Sequence, residues 1–212
     1  NDYIHAKSIT LLPYQQQSIN VFHKASSGII EAPTGRGKTM AMALAVIHYA
    51  LKEHQRPKIL WVTPMRALAR DTAFQLTDIF NSFFDDFRVV LRTSDSSSYQ
   101  KKKARNNDWD ILITTPESCA LFTTYDDMSV TLSSVDVMVV DEWHVLLNQK
   151  RGILFELFLS WLSTVNTTYR RWGVSATISS IDVAGDVLAP GQPVSFVRDD
   201  FKKVIVGDVL LP

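Results

Sequence analysis

Short apolar runs alternate with longer stretches of helical spacing along the chain. Runs such as Ile59–Val62 are continuous, as expected for strands that are buried on both faces. This β-α rhythm predicts an α/β fold with a mostly parallel central sheet and helices on both faces. The predicted strands are residues 28–31, 58–63, 88–92, 110–114, 135–140 and 171–175, and the predicted helices are residues 13–24, 38–53, 65–83, 100–106, 116–124 and 151–165.

The composition is that of one folded domain covering residues 1–212, with 46% hydrophobic and 21% charged residues. The absence of an apolar stretch of transmembrane length and of a signal-peptide pattern predicts no membrane association. A single cysteine, Cys119, fits a reducing compartment, so we expect a cytoplasmic protein in which this residue packs as a small apolar side chain.

The 22 basic and 22 acidic residues give a formal net charge of zero. A module that holds nucleic acid by bulk electrostatics should be basic, so the charge argues against one. Residues 101–105, Lys-Lys-Lys-Ala-Arg, form a basic cluster that is either a solvated helix face or a phosphate contact. Both interpretations stay open at the level of the sequence.

Residues 32–39 read Ala-Pro-Thr-Gly-Arg-Gly-Lys-Thr and stand between a predicted strand and a predicted helix. This is the context of a phosphate-binding loop, in which Gly35 and Gly37 let successive amide groups turn towards an anion. Lys38 is expected to reach the β- and γ-phosphates, and the Thr39 hydroxyl is expected to ligate Mg²⁺. The nucleotide-binding candidates are Thr34, Gly35, Arg36, Gly37, Lys38 and Thr39.

Asp141 and Glu142 follow the apolar run at residues 137–140. Together with the phosphate-binding loop they predict a nucleoside triphosphatase, in which Asp141 holds Mg²⁺ and Glu142 polarises the attacking water. With Lys38, these two residues are the catalytic candidates.

Ser175 and Thr177 follow a third apolar run, so all three polar motifs lie at the carboxyl ends of strands, where ligands bind in such sheets. His144 is either a hydrogen-bonded link between the nucleotide site and this third segment or a polar residue at a helix start.

The motifs taken together resemble the first RecA-like domain of superfamily 2 DEAH/DExH-type helicases over the whole chain. Within that group the chain is most similar to the Lhr family and to the bacterial ligase-associated DEXH-box helicases. The resemblance rests on residues 13–15 (Pro-Tyr-Gln), 63–71 (Thr-Pro-Met-Arg-Ala-Leu-Ala-Arg-Asp), 114–118 (Thr-Thr-Pro-Glu-Ser), 141–144 (Asp-Glu-Trp-His), 150–152 (Lys-Arg-Gly) and 175–178 (Ser-Ala-Thr-Ile). The chain departs from the family pattern at Ser94, at Val145 and at Asn148 or Gln149.

The resemblance implies a RecA-like three-layer sandwich with ATP and Mg²⁺ as cofactors. It implies that Gln15 reads the adenine edge and that His144, Ser175 and Thr177 couple the nucleotide state to strand binding. The implied nucleic-acid contacts are Pro64, Arg66, Thr115, Pro116 and Glu117.

The implied function is half of an ATP-dependent helicase that moves 3′ to 5′ on single-stranded DNA and acts in DNA repair. The alternative is a nucleotide-gated clamp or remodeller that does not unwind processively; a small-molecule kinase would have no use for residues 63–71 and 114–118. The implied partners are single-stranded or partly duplex nucleic acid, with DNA favoured, and a DNA ligase or nuclease encoded nearby. A second RecA-like domain and C-terminal domains of the same polypeptide are expected outside this chain.

Overall fold

A computed structural model describes residues 10–147, 150–178 and 180–200. The helices are α1 Pro13–Lys24, α2 Lys38–Lys52, α3 Arg66–Asn81, α4 Ser98–Arg105, α5 Pro116–Phe122, α6 Asp126–Leu132, α7 Trp143–Leu147, α8 Lys150–Val165 and α9 Ile181–Leu188. The strands are β1 Ser27–Glu31, β2 Ile59–Val62, β3 Val89–Arg92, β4 Ile111–Thr114, β5 Val137–Val140, β6 Arg170–Ser175 and β7 Ser195–Arg198.

The strands form one sheet in the order β3-β4-β2-β5-β6-β1-β7, and every neighbouring pair is parallel. The predicted α/β class with a mostly parallel sheet is therefore confirmed. In this order β6 lies between β5 and β1, so the residues that follow these three strands meet at one edge of the sheet.

The core lies on both faces of the sheet, which explains why the central strands β2 and β5 are apolar throughout. Along β2, Ile59 and Trp61 pack into a cluster with α1, α2 and α3. Leu60 and Val62 point to the opposite face and join a cluster with α5, α6, α8 and α9. Cys119 belongs to this second cluster and is buried, as its apolar interpretation predicted.

The six predicted strands are present, with ends that differ by up to two residues, but β7, α6, α7 and α9 were not predicted. β7 is a four-residue edge strand with one fully buried side chain, Val197, so it has no continuous apolar run. The helix expected at residues 100–106 begins earlier, at Ser98. Ser97 caps it by accepting a hydrogen bond from the Gln100 amide, while the Gln100 side chain accepts one from the Ser97 amide.

Asp110 is a buried carboxylate at the amino end of β4, on the edge of the sheet away from the phosphate-binding loop. It accepts hydrogen bonds from Arg56 Nη2 at 2.9 Å and from the Arg88 backbone N–H at 2.7 Å. Burial alone raises the pKa of this carboxyl, but the bonds from Arg56 and Arg88 outweigh burial and bring the pKa down to about 2.

Asp110→Asn is expected to lower the free energy of unfolding by about 1–2 kcal/mol at pH 7, since water partly screens the exposed arginines. Because the carboxyl pKa is depressed in the folded state, this stability is complete above the ordinary pKa of 3.8 and is lost as the pH falls through about 2. Urea unfolding of both proteins between pH 7 and pH 2 measures the difference. The control is Asp108→Asn, which removes a more exposed partner of Arg88; an equal loss from both variants contradicts the assignment to Asp110.

Candidate nucleotide site and strand face

The loop between β1 and α2 has the backbone geometry of an anion cradle. Gly35 and Gly37 have φ of 81° and 76°, in the left-handed region that favours glycine. A Cβ on Gly37 would also lie 2.9 Å from Gln15 Nε2, so a side chain there would displace the Gln15 carboxamide. Gly37 is the N-cap residue of α2, whose amino end therefore points its free N–H groups into the loop.

Helix α1 holds this loop from behind. Tyr14 Oη donates to the Arg36 carbonyl at 2.5 Å, and Gln15 Nε2 donates to the Gly37 carbonyl at 3.2 Å. Gln15 Oε1 accepts from the Leu12 N–H at 2.9 Å, so both ends of this carboxamide bind backbone. Burial raises the pKa of Tyr14 to about 12 and keeps it a hydrogen-bond donor. The structure thus places Gln15 against the phosphate-binding loop, and its contact with adenine stays a prediction.

The Arg36 side chain turns away from the phosphate-binding loop. Its Nε forms an ion pair with Asp199 Oδ2 at 2.8 Å. Asp199 directly follows β7, and its side chain is 10% exposed. This contact joins the loop to the last strand of the sheet, and nothing local in the sequence indicates it.

The predicted catalytic side chains converge beside the phosphate-binding loop. Lys38 Nζ lies 3.9 Å from Glu142 Oε1, and Lys38 and Asp141 are both 7% exposed. They line one cleft of about 320 Å³, to which α3 contributes one wall. Its lining residues are Thr34, Gly35, Gly37, Lys38, Thr39, Met40, Leu68, Asp71, Thr72, Gln75, Asp141 and Glu142. The sequence placed all of these except Met40 and the α3 residues in the site.

The buried Asp141 carboxylate lies close to a second negative charge, that of Glu142. Burial, and secondarily the charge of Glu142, raise the pKa of Asp141 to about 6. Thr39 contributes a hydroxyl to the same cleft. Two oxygen ligands beside a phosphate cradle suit Mg²⁺, which commonly takes its other ligands from water and phosphate oxygens.

Glu142 adopts a left-handed backbone conformation, with φ of 46°. This conformation is strained for a residue with a side chain, and such strain is concentrated at functional sites. A hydrogen bond from the Glu142 N–H to Asp141 Oδ1, at 2.9 Å, holds the turn. The bond fixes the Asp141 carboxylate against the Glu142 backbone, and Glu142 is the more exposed of the two side chains.

His144 connects the nucleotide cleft to the end of β6. Its Nδ1 lies 2.9 Å from Ser175 Oγ and 3.5 Å from Glu142 Oε2. Ser175 Oγ in turn donates to the Thr177 carbonyl at 3.2 Å. Although His144 is also the second residue of α7, the hydrogen bond agrees with the linking interpretation. The coupling role of these three residues stays a prediction.

The strand face is the cleft next to the nucleotide site, of about 390 Å³, lined by Arg66, Ala67, Arg70, Leu91, Thr93, Asp95, Ser96 and Gln100. Arg66, at the start of α3, donates from Nη1 to both carboxylate oxygens of Asp95 at 2.9 Å. This interaction lowers the pKa of Asp95. The sequence predicted Arg66 as a nucleic-acid contact but did not indicate its ion pair with Asp95.

Arg151 links the two other segments that were predicted to contact nucleic acid, at Pro64 and at residues 115–117. It was not itself among the predicted contact residues. Its Nη1 donates to the Pro64 carbonyl at 3.1 Å and to Glu117 Oε1 at 3.3 Å. Thr115 and Pro116 are buried, and Glu117 is the exposed member of its segment. The signal that could have identified Arg151 was its place in the Lys-Arg-Gly sequence after Asp-Glu-Trp-His.

Comparison with known families decides the classification. The profile of the DEAD/DEAH box helicases matches residues 12–184. The chain belongs to the DEAD/DEAH box helicase family. The match includes the phosphate-binding loop, the Asp-Glu pair and the Ser175 segment, and it confirms the family expected from these motifs.

Individual relatives of this helicase domain are Lhr proteins. The ATP-dependent helicase Lhr-Core of Methanocaldococcus jannaschii is 33% identical, and the alignment covers 100% of this chain and 27% of that protein. The Lhr helicase/uracil glycosylase of Escherichia coli is 31% identical, with 87% of this chain and 13% of that protein covered. The structure of Mycobacterium smegmatis helicase Lhr bound to ssDNA and AMP-PNP matches with a TM-score of 0.80 at 29% identity, over 93% of this chain and 27% of that one.

The helicase domain thus spans about a quarter or less of the length of these relatives. The structural match confirms the expected RecA-like α/β fold. In the parts of the chain that the structure describes, every helix is too short or too polar to cross a membrane.

Proposed function

We propose that this helicase domain binds ATP with Mg²⁺ and forms the nucleotide-binding half of an ATP-dependent motor on nucleic acid. The observation that carries the proposal is the convergence of Lys38, Asp141 and Glu142 in one cleft beside the glycine-rich loop. We further infer movement from 3′ to 5′ on single-stranded DNA, a role in DNA repair and a cytoplasmic location. The relatives named as ATP-dependent helicases support the motor activity.

The chemistry follows from where each side chain lies. The amides of the phosphate-binding loop and the Lys38 ammonium bind and neutralise the β- and γ-phosphates. Thr39 and Asp141 would hold Mg²⁺, which would supply further charge neutralisation. Glu142 accepts the proton of the water that attacks the γ-phosphate, and its 3.9 Å approach to Lys38 directs its carboxylate into the cleft.

Nucleic acid would lie along the strand face, with Arg66 on a backbone phosphate. Because Arg66 forms an ion pair with Asp95 in this structure, a phosphate has to displace the Asp95 carboxylate. Glu117 would repel a phosphate by itself, but its charge is partly neutralised by Arg151. Since Thr115 and Pro116 are buried, we propose that backbone groups make their contacts. The ssDNA in the Mycobacterium smegmatis Lhr structure favours DNA as the ligand.

A second RecA-like domain, followed by C-terminal domains, would complete the motor. We propose that residues 1–212 fold as the first domain and that the second supplies arginines to the open side of the nucleotide. Such an arginine accelerates phosphoryl transfer by about 10³–10⁵-fold in related chemistry. A DNA ligase or nuclease encoded nearby is the proposed functional partner.

The isolated 212-residue chain is expected to fold and to hydrolyse ATP slowly, without stimulation by single-stranded DNA. Only one side of the nucleotide is enclosed, so its affinity for ATP should also be low. The measurement is steady-state ATPase activity with and without single-stranded DNA, beside a longer polypeptide that includes the second domain. Strand-stimulated turnover by the short chain at the rate of the long one would contradict the two-domain proposal.

Arg66→Ala in the longer polypeptide is expected to lower the affinity for single-stranded DNA about three- to tenfold, because one phosphate contact is lost. The effect is modest since binding the phosphate also requires Arg66 to leave Asp95. Basal ATPase activity should change little. Fluorescence anisotropy on two oligonucleotides of unrelated sequence measures the affinity, and the loss should be equal on both because a phosphate contact carries no sequence information. Lys52→Ala, an exposed lysine at the far end of α2, is the charge-matched control. An unchanged affinity assigns Arg66 a structural role.

A further inference from the structure

A small cavity between α4, α5 and α6 is lined by three cationic side chains. Its volume is about 80 Å³. Arg92, Lys101 and Arg105 line it together with Tyr125, and Phe122 and Met128 form its apolar walls. This cation set lies outside the nucleotide cleft.

Arg92 is the unusual member of the set, because it is only 6% exposed and has no carboxylate partner among the residues that the structure describes. Its hydrogen bond there is from Nη1 to the Thr93 carbonyl, at 2.9 Å, and its guanidinium lies 5.7 Å from the centre of the Phe122 ring. Burial lowers the pKa of Arg92, and the charge of Arg105 adds to this effect. A buried cation without a counter-ion is destabilising unless an anion is supplied.

Nearby carboxylates balance only part of the positive charge of Arg92, Lys101 and Arg105. Asp127 does not line the cavity but lines the neighbouring groove, and its Oδ2 lies 2.6 Å from Arg105 Nε. Arg105 also stacks over Tyr125, 5.1 Å from the ring centre. Lys101 is half-buried, and within the described ranges no carboxylate lies at ion-pair distance from its ammonium. Asp127 therefore balances Arg105 and leaves the charges of Arg92 and Lys101 free to attract an anion.

We propose that this cavity binds a phosphate group between Arg92, Lys101 and the Tyr125 hydroxyl. Its volume of about 80 Å³ exceeds the roughly 15 Å³ that one water molecule needs, so a small oxyanion has room. A guanidinium presents forked N–H donors that match phosphate oxygens, and the buried setting strengthens each charged hydrogen bond. The phosphate comes either from a free anion or from the backbone of a nucleic-acid strand.

The position of the cavity gives the binding a structural consequence. Arg92 ends β3 and directly precedes Thr93, Asp95 and Ser96, which line the strand face. An anion on Arg92 would fix one end of the loop that carries Asp95, the carboxylate that pairs with Arg66. The site goes beyond the proposed motor function and does not depend on the nucleotide cleft.

Methyl NMR of the 212-residue chain with labelled methionines tests the proposal, because Met128 lines the cavity and Met65 is exposed beside Arg66. Potassium phosphate is titrated against potassium chloride at equal ionic strength, and a dodecathymidylate strand is titrated separately in phosphate-free buffer. A saturable shift of the Met128 methyl with phosphate alone identifies a free-anion site, and a shift with the strand identifies a backbone-phosphate site. No saturable shift of Met128 with either probe overturns the proposal. A strand that shifts Met65 but not Met128 leaves the motor function intact and, with no phosphate effect, still overturns this site.

Matched variants separate a built site from diffuse attraction. Lys101→Ala is expected to weaken the Met128 response about tenfold, as loss of one charged hydrogen bond should. Lys102→Ala removes the same charge from an exposed neighbour that does not line the cavity, and it should have no effect. Arg92→Gln should abolish the response, with the buried Met42 methyl as the check on folding. Equal weakening by the two lysine variants would refute a specific cavity, even if Arg92→Gln does not fold.

Discussion

Lys38→Ala is expected to abolish ATP hydrolysis in a polypeptide that contains both motor domains, with a loss of at least about 10³-fold. The Lys38 ammonium is 7% exposed at the amino end of α2 and lies opposite Glu142. Removing it leaves the γ-phosphate without its principal side-chain cation. The negative charges of Asp141 and Glu142 in the same cleft are then no longer balanced by the lysine. Steady-state phosphate release measures the effect.

Two controls make the Lys38 result specific. Lys52→Ala on the same helix should keep full activity, since its side chain is exposed at the opposite end. Circular dichroism should show that the Lys38 variant keeps its helix content. ATPase activity close to that of the unmodified protein would remove Lys38 from the site and refute the proposed nucleotide cleft.

Glu142→Gln is expected to slow hydrolysis by about 10²-fold or more while leaving ATP binding unchanged. The amide preserves the shape of the side chain but cannot accept a proton from the attacking water. Single-turnover hydrolysis and equilibrium binding of a fluorescent ATP analogue, measured on the same preparation, separate the two effects.

Asp141→Asn is the matched comparison for Glu142→Gln. It should weaken Mg²⁺-dependent nucleotide binding, because Asp141 is the buried oxygen ligand in the cleft. If instead Glu142→Gln loses binding and its bound ATP is hydrolysed at the normal rate, the roles assigned to the two carboxylates are exchanged.

The convergence of the candidate nucleotide-site residues could be predicted from the sequence because their geometry is encoded locally. Gly35 and Gly37 are needed for the left-handed turns of one loop, and Asp141 and Glu142 follow a strand that is buried on both faces. The parallel sheet then brings the ends of its strands to one edge, whatever the details of packing. The order of β1, β5 and β6 in the sheet supplied the rest.

Contacts between distant segments could not be predicted in this way. The pairs Arg36–Asp199, Arg66–Asp95 and Arg151–Pro64 join residues far apart in the chain through side chains whose directions depend on the packed structure. The phosphate-binding loop also engages Gln15 through its carbonyl groups, a contact set by how α1 docks. The short elements α6 and β7 lacked enough residues for a clear period.

The position of β1 within the sheet has a consequence for how the protein is made. Among the described strands β1 comes first in the sequence, yet its partners are β6 and β7, with Ser27 opposite Arg171 and Gly28 opposite Ser195. Strands β2 to β5 can pair with one another before either partner exists. Pairing across so long a sequence separation is slow and comes late in folding. We therefore expect the phosphate-binding loop, which follows β1, to be fixed in place only after β6 and β7 have been synthesised.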